Sequence, residues 1–133
     1  MKMSNLCVLL IKFRRVNMKT IITHNANFHA DDVFSIAALL LIYPDAKIIR
    51  TRDENEIAKA DIVLDVGRMY DGVKFFDHHQ EGGAGERENG IAYASFGLIW
   101  KHFGEKLVDE EGLKHIDKIL VESLDVVDNG IDF

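Results

Sequence analysis

The chain has 133 residues, 47% of them hydrophobic and 29% charged, enough for one domain with a true core. Its net charge of -6 excludes a protein that coats nucleic acid by electrostatics alone, but not a phosphate substrate met through divalent cations. The single cysteine, Cys7, excludes an intramolecular disulfide and points to the reducing cytoplasm.

The segment Met1–Val16 holds an apolar stretch, Leu6–Ile11, followed by Lys12, Arg14 and Arg15. It is too short to span a bilayer, and its charges follow the apolar run instead of preceding it as in a signal peptide. Residues 1–17 therefore read as an extension ahead of a natural start at Met18. No membrane partner is expected. Lys19–His24 predicts a strand centred on Ile21 and Ile22. Asp31–Tyr43 is apolar on nearly every side and long enough to predict a buried helix, closed by Pro44. Ala46–Arg50 predicts a strand, Glu54–Lys59 a short helix, and Asp61–Asp65 a strand buried on both faces. Val73–Phe76 predicts a fourth strand. This alternation predicts an α/β, Rossmann-like three-layer domain with a mostly parallel sheet.

Gly82, Gly83, Gly85 and Gly90 mark a flap that lacks the Lys-Ser/Thr of a phosphate-binding P-loop. Beyond it, Tyr93, Phe96, Ile99 or Trp100 and Phe103 recur at helical spacing, with Gly104 as the cap. A last helix carries Leu113, Ile116, Leu120, Leu124 and Val127 on one face. Residues 18–133 read as one domain. Nothing after Asp128-Asn129-Gly130 resembles a closing element, so truncation at the C-terminus is expected.

Three groups of metal-type ligands end predicted strands: His24, Asp65 and the triplet Asp77-His78-His79. A fourth lies near the end of the last helix. Loops at the carboxyl ends of strands in an open α/β sheet converge on one crevice, and mixed imidazole and carboxylate donors suit divalent cations. In the turn from His24 to Asp32, two imidazoles and two carboxylates can present several ligands to one or two cations, with His24, His29 and Asp31 preferred, although Asp31 or Asp32 equally fits a helix cap. Asp65 ends a central strand, where a carboxylate is costly unless it is hydrogen-bonded or bound to a cation. A ligand bridging two cations and an Asx turn both fit it. One imidazole of His78 and His79 would serve a metal and the other the substrate, with Asp77 fixing a tautomer behind them. Asp128 is preferred to Asp125 as the late ligand, because helical geometry turns Asp125 toward solvent. Arg50 is a candidate fork-shaped donor to a substrate phosphate, whereas Arg52 reads as a surface partner of Asp53 or Glu56. His102, His115 and Trp100 read as structural or exposed.

The ordered strings Thr23-His24-Asn25 to Phe28-His29-Ala30-Asp31, Arg50-Thr51-Arg52-Asp53, Asp65-Val66-Gly67, Phe76-Asp77-His78-His79-Gln80, His102-Phe103-Gly104 and Val127-Asp128-Asn129-Gly130 resemble the DHH phosphoesterase superfamily. Within it, the chain from Met18 to Gly130 is most similar to the metal-dependent protein hydrolases, also called the melanocyte proliferating gene family. The resemblance implies a DHH-type domain with two divalent cations, usually Mn2+, with Mg2+, Co2+ or Zn2+ as alternatives. It assigns His24, His29 and Asp65 to one cation, and Asp31, Asp65, His78 and Asp128 to the second. His79 and Asp65 would be catalytic, with His79 beside the substrate. The implied activity is 3′-to-5′ RNA exonuclease hydrolysis, and the implied partner RNA or a small phosphate ester. Members of the family continue into a second domain, expected to be missing here. A manganese-dependent pyrophosphatase or small-molecule phosphatase would use the same core, and a non-catalytic metal-binding fragment is the competing reading.

Overall fold

Short apolar strands set the architecture. In the computed structural model, which describes residues 18–130, β1 (Thr20–Thr23), β2 (Lys47–Arg50), β3 (Ile62–Leu64) and β4 (Phe75–Phe76) form one sheet. The predicted extension at 1–17, with Cys7, lies outside the described residues, as do residues 131–133. The sheet is four-stranded and wholly parallel, in the order β2-β1-β3-β4. The fold is thus α/β and Rossmann-like.

Successive strand residues face opposite sides, and each side has its own core. Ile21, Ile62, Leu64 and Phe76 pack with Ala38 and Leu39 of α1 (Ala30–Ile42) and with Phe96, Leu98 and Ile99 of α3 (Ser95–Phe103). Ile22, Val63 and Val66 pack on the other side with Ile57 of α2 (Glu54–Lys59). Helices therefore cover both faces, which is why the strands are continuous apolar runs. From β1 the chain pairs on one side with β2 and later on the other with β3. A crevice opens at such a reversal, beyond the carboxyl ends of the strands. No helix among the described residues is long and apolar enough to cross a membrane.

Several elements differ from expectation for identifiable reasons. The fourth strand keeps only Phe75 and Phe76, and Val73 is 79% exposed. Asp71 Oδ1 accepts the N–H groups of Val73, Lys74 and Phe75 at 2.9, 2.8 and 2.8 Å, which makes that stretch a side-chain-capped turn. Tyr93 precedes α3 instead of lying on it. Gly104 does end α3, but with a right-handed φ of -59°. A Cβ there would meet Leu113 Cδ1 at 2.5 Å and the Trp100 ring at 3.0 Å, so close packing is what calls for glycine. The glycine-rich loop is tied down, with Ala84 buried in the main core and Arg87 buried at its far end.

The terminal helix departs most. It comprises α4 (Glu110–Ile116), a π-helical segment Asp117–Val121 and α5 (Glu122–Asp128). The wider π turn absorbs extra chain and moves the buried face along by one residue. Val121 and Asp125 are buried where regular spacing from Ile116 selects Leu120 and Leu124, and Val127 is 62% exposed.

Candidate metal centre

His24 follows β1 directly, and its buried ring is held by a hydrogen bond from Ala26 N to Nδ1 at 3.1 Å. Nε2 then faces Asp32 Oδ2 at 2.9 Å and Asp65 Oδ2 at 3.3 Å. The following loop is pinned by Arg50, whose Nε donates to His24 O at 3.3 Å and whose Nη2 donates to Ala26 O. The Arg50 guanidinium also stacks 3.9 Å from the Phe28 ring. Two of its donors thus hold this loop, and it is not among the residues lining the cleft. Arg52 is exposed, as a surface residue should be, but it makes no ion pair with Asp53 or Glu56 and lines the cleft.

Asp65 stands at the centre. It ends β3 with a left-handed φ of 52°, a conformation costing a side-chain-bearing residue about 1–3 kcal/mol and kept where the surroundings enforce it. Its Oδ1 lies 3.3 Å from His79 Nδ1 and 3.7 Å from His78 Nδ1, and accepts from Ser95 Oγ at 3.4 Å. Burial, followed by the Asp31, Asp32 and Asp128 charges, pushes this carboxyl up to about 9. Asp31 on α1 is likewise pushed up to about 7, by burial first and Asp128 next. Its Oδ1 accepts from Phe96 N at 2.7 Å, whereas its buried Oδ2 has no partner among the described residues.

The triplet after β4 divides its tasks. Asp77 Oδ2 accepts from Arg68 N at 2.7 Å, and Oδ1 accepts from His79 N at 3.1 Å while facing His79 Nδ1 at 2.6 Å. The half-exposed His79 ring is thereby oriented. His78 Nε2 lies 3.0 Å from Asp128 Oδ2. Burial works against charging His78, but the Asp128 hydrogen bond and the carboxylates around it outweigh that and raise its pKa.

Donor atoms of three groups lie within 4.8 Å of one another: His24, Asp32 and Asp65; Asp31, Asp65, His78 and Asp128; and Asp65, Asp77, His78 and His79. Asp65 belongs to all three. The folded chain thus brings together His24, Asp31, Asp65, Asp77, His78, His79 and Asp128. His29 stands apart from these groups. It is exposed at the N-terminus of α1 and lines the same cleft, of about 660 Å³, with its ring centred 6.4 Å from that of His24. Oxygen and imidazole donors without thiolate suit divalent cations. The orphaned Asp31 oxygen and the raised Asp31 and Asp65 pKa values mark a site where negative charge is disfavoured unless such cations offset it.

The sequence left one contributor open and was silent on others. Asp32 fits either a ligand or a helix cap by sequence, and its Oδ2 does both, accepting from His29 N at 3.1 Å while facing His24 Nε2 at 2.9 Å. Its place one residue after Asp31 gave no sign that both carboxylates would be buried. Ser95 carries no motif, yet its hydroxyl bridges Asp65 and His78 at 3.4 and 3.5 Å. With Phe96 N on Asp31, the N-terminus of α3 points its free amides at the acidic cluster, where the helix dipole favours negative charge. Asp125, expected near solvent, is wholly buried.

A family profile, MYG1_exonuc, described as an uncharacterised protein family (UPF0160), matches residues 20–133. The chain belongs to the MYG1 family. Among its MYG1 relatives, a MYG1 protein of Saccharomyces cerevisiae is 36% identical over 137 residues, spanning 91% of this chain and 40% of that protein. The protein of Homo sapiens named MYG1 exonuclease is 38% identical over 132 residues, spanning 82% of this chain and 35% of its own. Its Bos taurus counterpart of the same name is 39% identical over 132 residues. The chain thus spans well under half the length of the MYG1 relatives it matches. No solved structure matches it.

Proposed function

We propose that this chain is the metal-binding domain of a two-cation phosphodiesterase of the DHH type, one that removes nucleotides from the 3′ end of RNA with Mn2+ as the working ion. The observation that carries this reading is the sharing of Asp65 among the donor groups, because a single carboxylate reaching two adjacent ligand sets is what a paired-cation site needs. The exonuclease names of the human and bovine relatives support the substrate class.

His24, Asp32 and Asp65 would hold one cation, with His29 turning in from the mouth of the cleft, and Asp31, Asp65, His78 and Asp128 the other. When bound, such a pair lowers the pKa of a shared water and offsets charge on the phosphate oxygens. The chain's own residues do the rest. Asp77 accepts from His79 Nδ1, which leaves Nε2 with its lone pair free to accept a proton or a hydrogen bond in the cleft. Arg52 adds a fork-shaped cationic donor from the cleft wall, and Arg50 keeps the His24 loop in place.

The decisive experiment incubates 5′-labelled single-stranded RNA with the purified chain and Mn2+. A ladder shortening from the 3′ end, lost in Asp65→Asn, is expected, with inorganic pyrophosphate left intact. Mn2+ uptake without turnover of either substrate would instead establish a metal-binding domain only.

A further inference from the structure

The best-built polar cluster outside the cleft centres on Arg87, at the end of the glycine-rich loop. Its side chain is only 6% exposed. Nε and Nη2 grip both oxygens of Asp117 at 2.9 and 2.7 Å. Nη1 lies 2.8 Å from Asp125 Oδ2, a close charge contact. The Tyr93 ring lies 4.4 Å from the guanidinium. Asp125, on the far side of the π segment from Asp117, also accepts from Gly97 N of α3 at 3.0 Å. A Cβ on residue 97 would stand 1.9 Å from Asp125 Oδ2, so the carboxylate reaches α3 only because that residue is glycine.

None of Arg87, Asp117, Asp125 or Gly97 belongs to a donor group. All of them fix one object, the helix that carries Asp128. Asp128 lies three residues beyond Asp125, hence on nearly the same face, and its carboxylate meets His78 at 3.0 Å. We propose that Arg87 is a positioning residue: by clamping Asp117 and Asp125 across the π segment, it sets the rotation of the terminal helix so that Asp128 completes the donor group of Asp31, Asp65 and His78. This inference rests on the two-cation reading of the cleft. It needs arginine, because only a planar fork serves carboxylates approaching from two directions; lysine offers a point charge.

The test titrates Mn2+ into the metal-free 133-residue chain, resolving the two equivalents by calorimetry and electron paramagnetic resonance, with thermal melts in parallel. The expected result for Arg87→Lys is a selective loss, one equivalent weakened at least tenfold and the other, at His24, Asp32 and Asp65, changed less than twofold. Gly97→Ala, which displaces Asp125 without touching Arg87, should weaken the same equivalent. Equal weakening of both equivalents, or unchanged affinities, would overturn the proposal. Loss of a cooperative melt in both variants would overturn it too, by making the clamp a support of the whole fold. A wild-type chain that takes up no Mn2+ sinks the two-cation reading itself; normal wild-type uptake with an unselective loss sinks only the role of Arg87.

Discussion

Asp65 carries a proton in the metal-free fold far above the range of an ordinary carboxylate, and this has a measurable consequence. Between 3.8 and about 9 the folded chain keeps a proton that the unfolded chain releases. The unfolded state therefore binds fewer protons, and stability falls as pH rises through that window. We expect the metal-free protein to melt at progressively lower temperature from pH 5 to pH 9. Asp65→Asn should flatten the part of that slope above about pH 7, where Asp31 and Asp125 have already released their protons, and cut Mn2+ affinity by roughly tenfold or more, at least the loss seen when a partner of a metal ligand is removed. A variant that kept the wild-type slope would show that Asp65 is not the group responsible. At this scale the sequence was informative where a candidate ligand follows a strand, as with His24, Asp65 and His78, because the strand's apolar run announces where the next side chains emerge. It was silent on Ser95, whose hydroxyl matters only because α3 begins against the cluster.

The terminal helix shows how one element can mislead a pattern. Leu113 and Ile116 set a regular spacing, and the π segment Asp117–Val121 then breaks it by one residue, turning Asp125 inward and Val127 outward. Periodicity counts residues per turn and has no means of seeing a single wider turn. The same geometry yields a test. Deleting the exposed Ile119 should convert the π segment into regular helix while leaving α5 in register, with Mn2+ uptake retained. Inserting an alanine after Glu122 should instead rotate Asp125 and Asp128 by about 100° and abolish the second equivalent. Titration of both variants, with circular dichroism to follow helix content, separates register from mere disruption. The short fourth strand has a similar lesson. Val73 and Lys74 have acceptable strand composition, but the Asp71 side chain claims their amides first.

At the scale of the whole molecule, cation binding and folding should be linked, since carboxylates from α1, β3 and α5 are held together against their mutual repulsion. Mn2+ at a hundred times its dissociation constant would add about 2.7 kcal/mol of stability and raise Tm by roughly 10 °C for a domain of this size. Chelation with EDTA should reverse the shift, and Mg2+ should reproduce it only at higher concentration. A melting temperature indifferent to both Mn2+ and EDTA would argue that the cluster holds no cation in solution.

The amino-acid order by itself determined the alternation of strands and helices, the parallel sheet and the edge at which the candidate ligands gather. Each of those follows from local apolar patterning and from the direction in which a strand ends. Tertiary structure alone decided that Asp32 and Ser95 enter the cluster, that Arg52 and not Arg50 lines the cleft, and that a buried Arg87 grips the helix bearing Asp128. Those relations join residues tens of positions apart through burial and charge, and no periodicity in a single chain encodes which distant partner a buried side chain will meet.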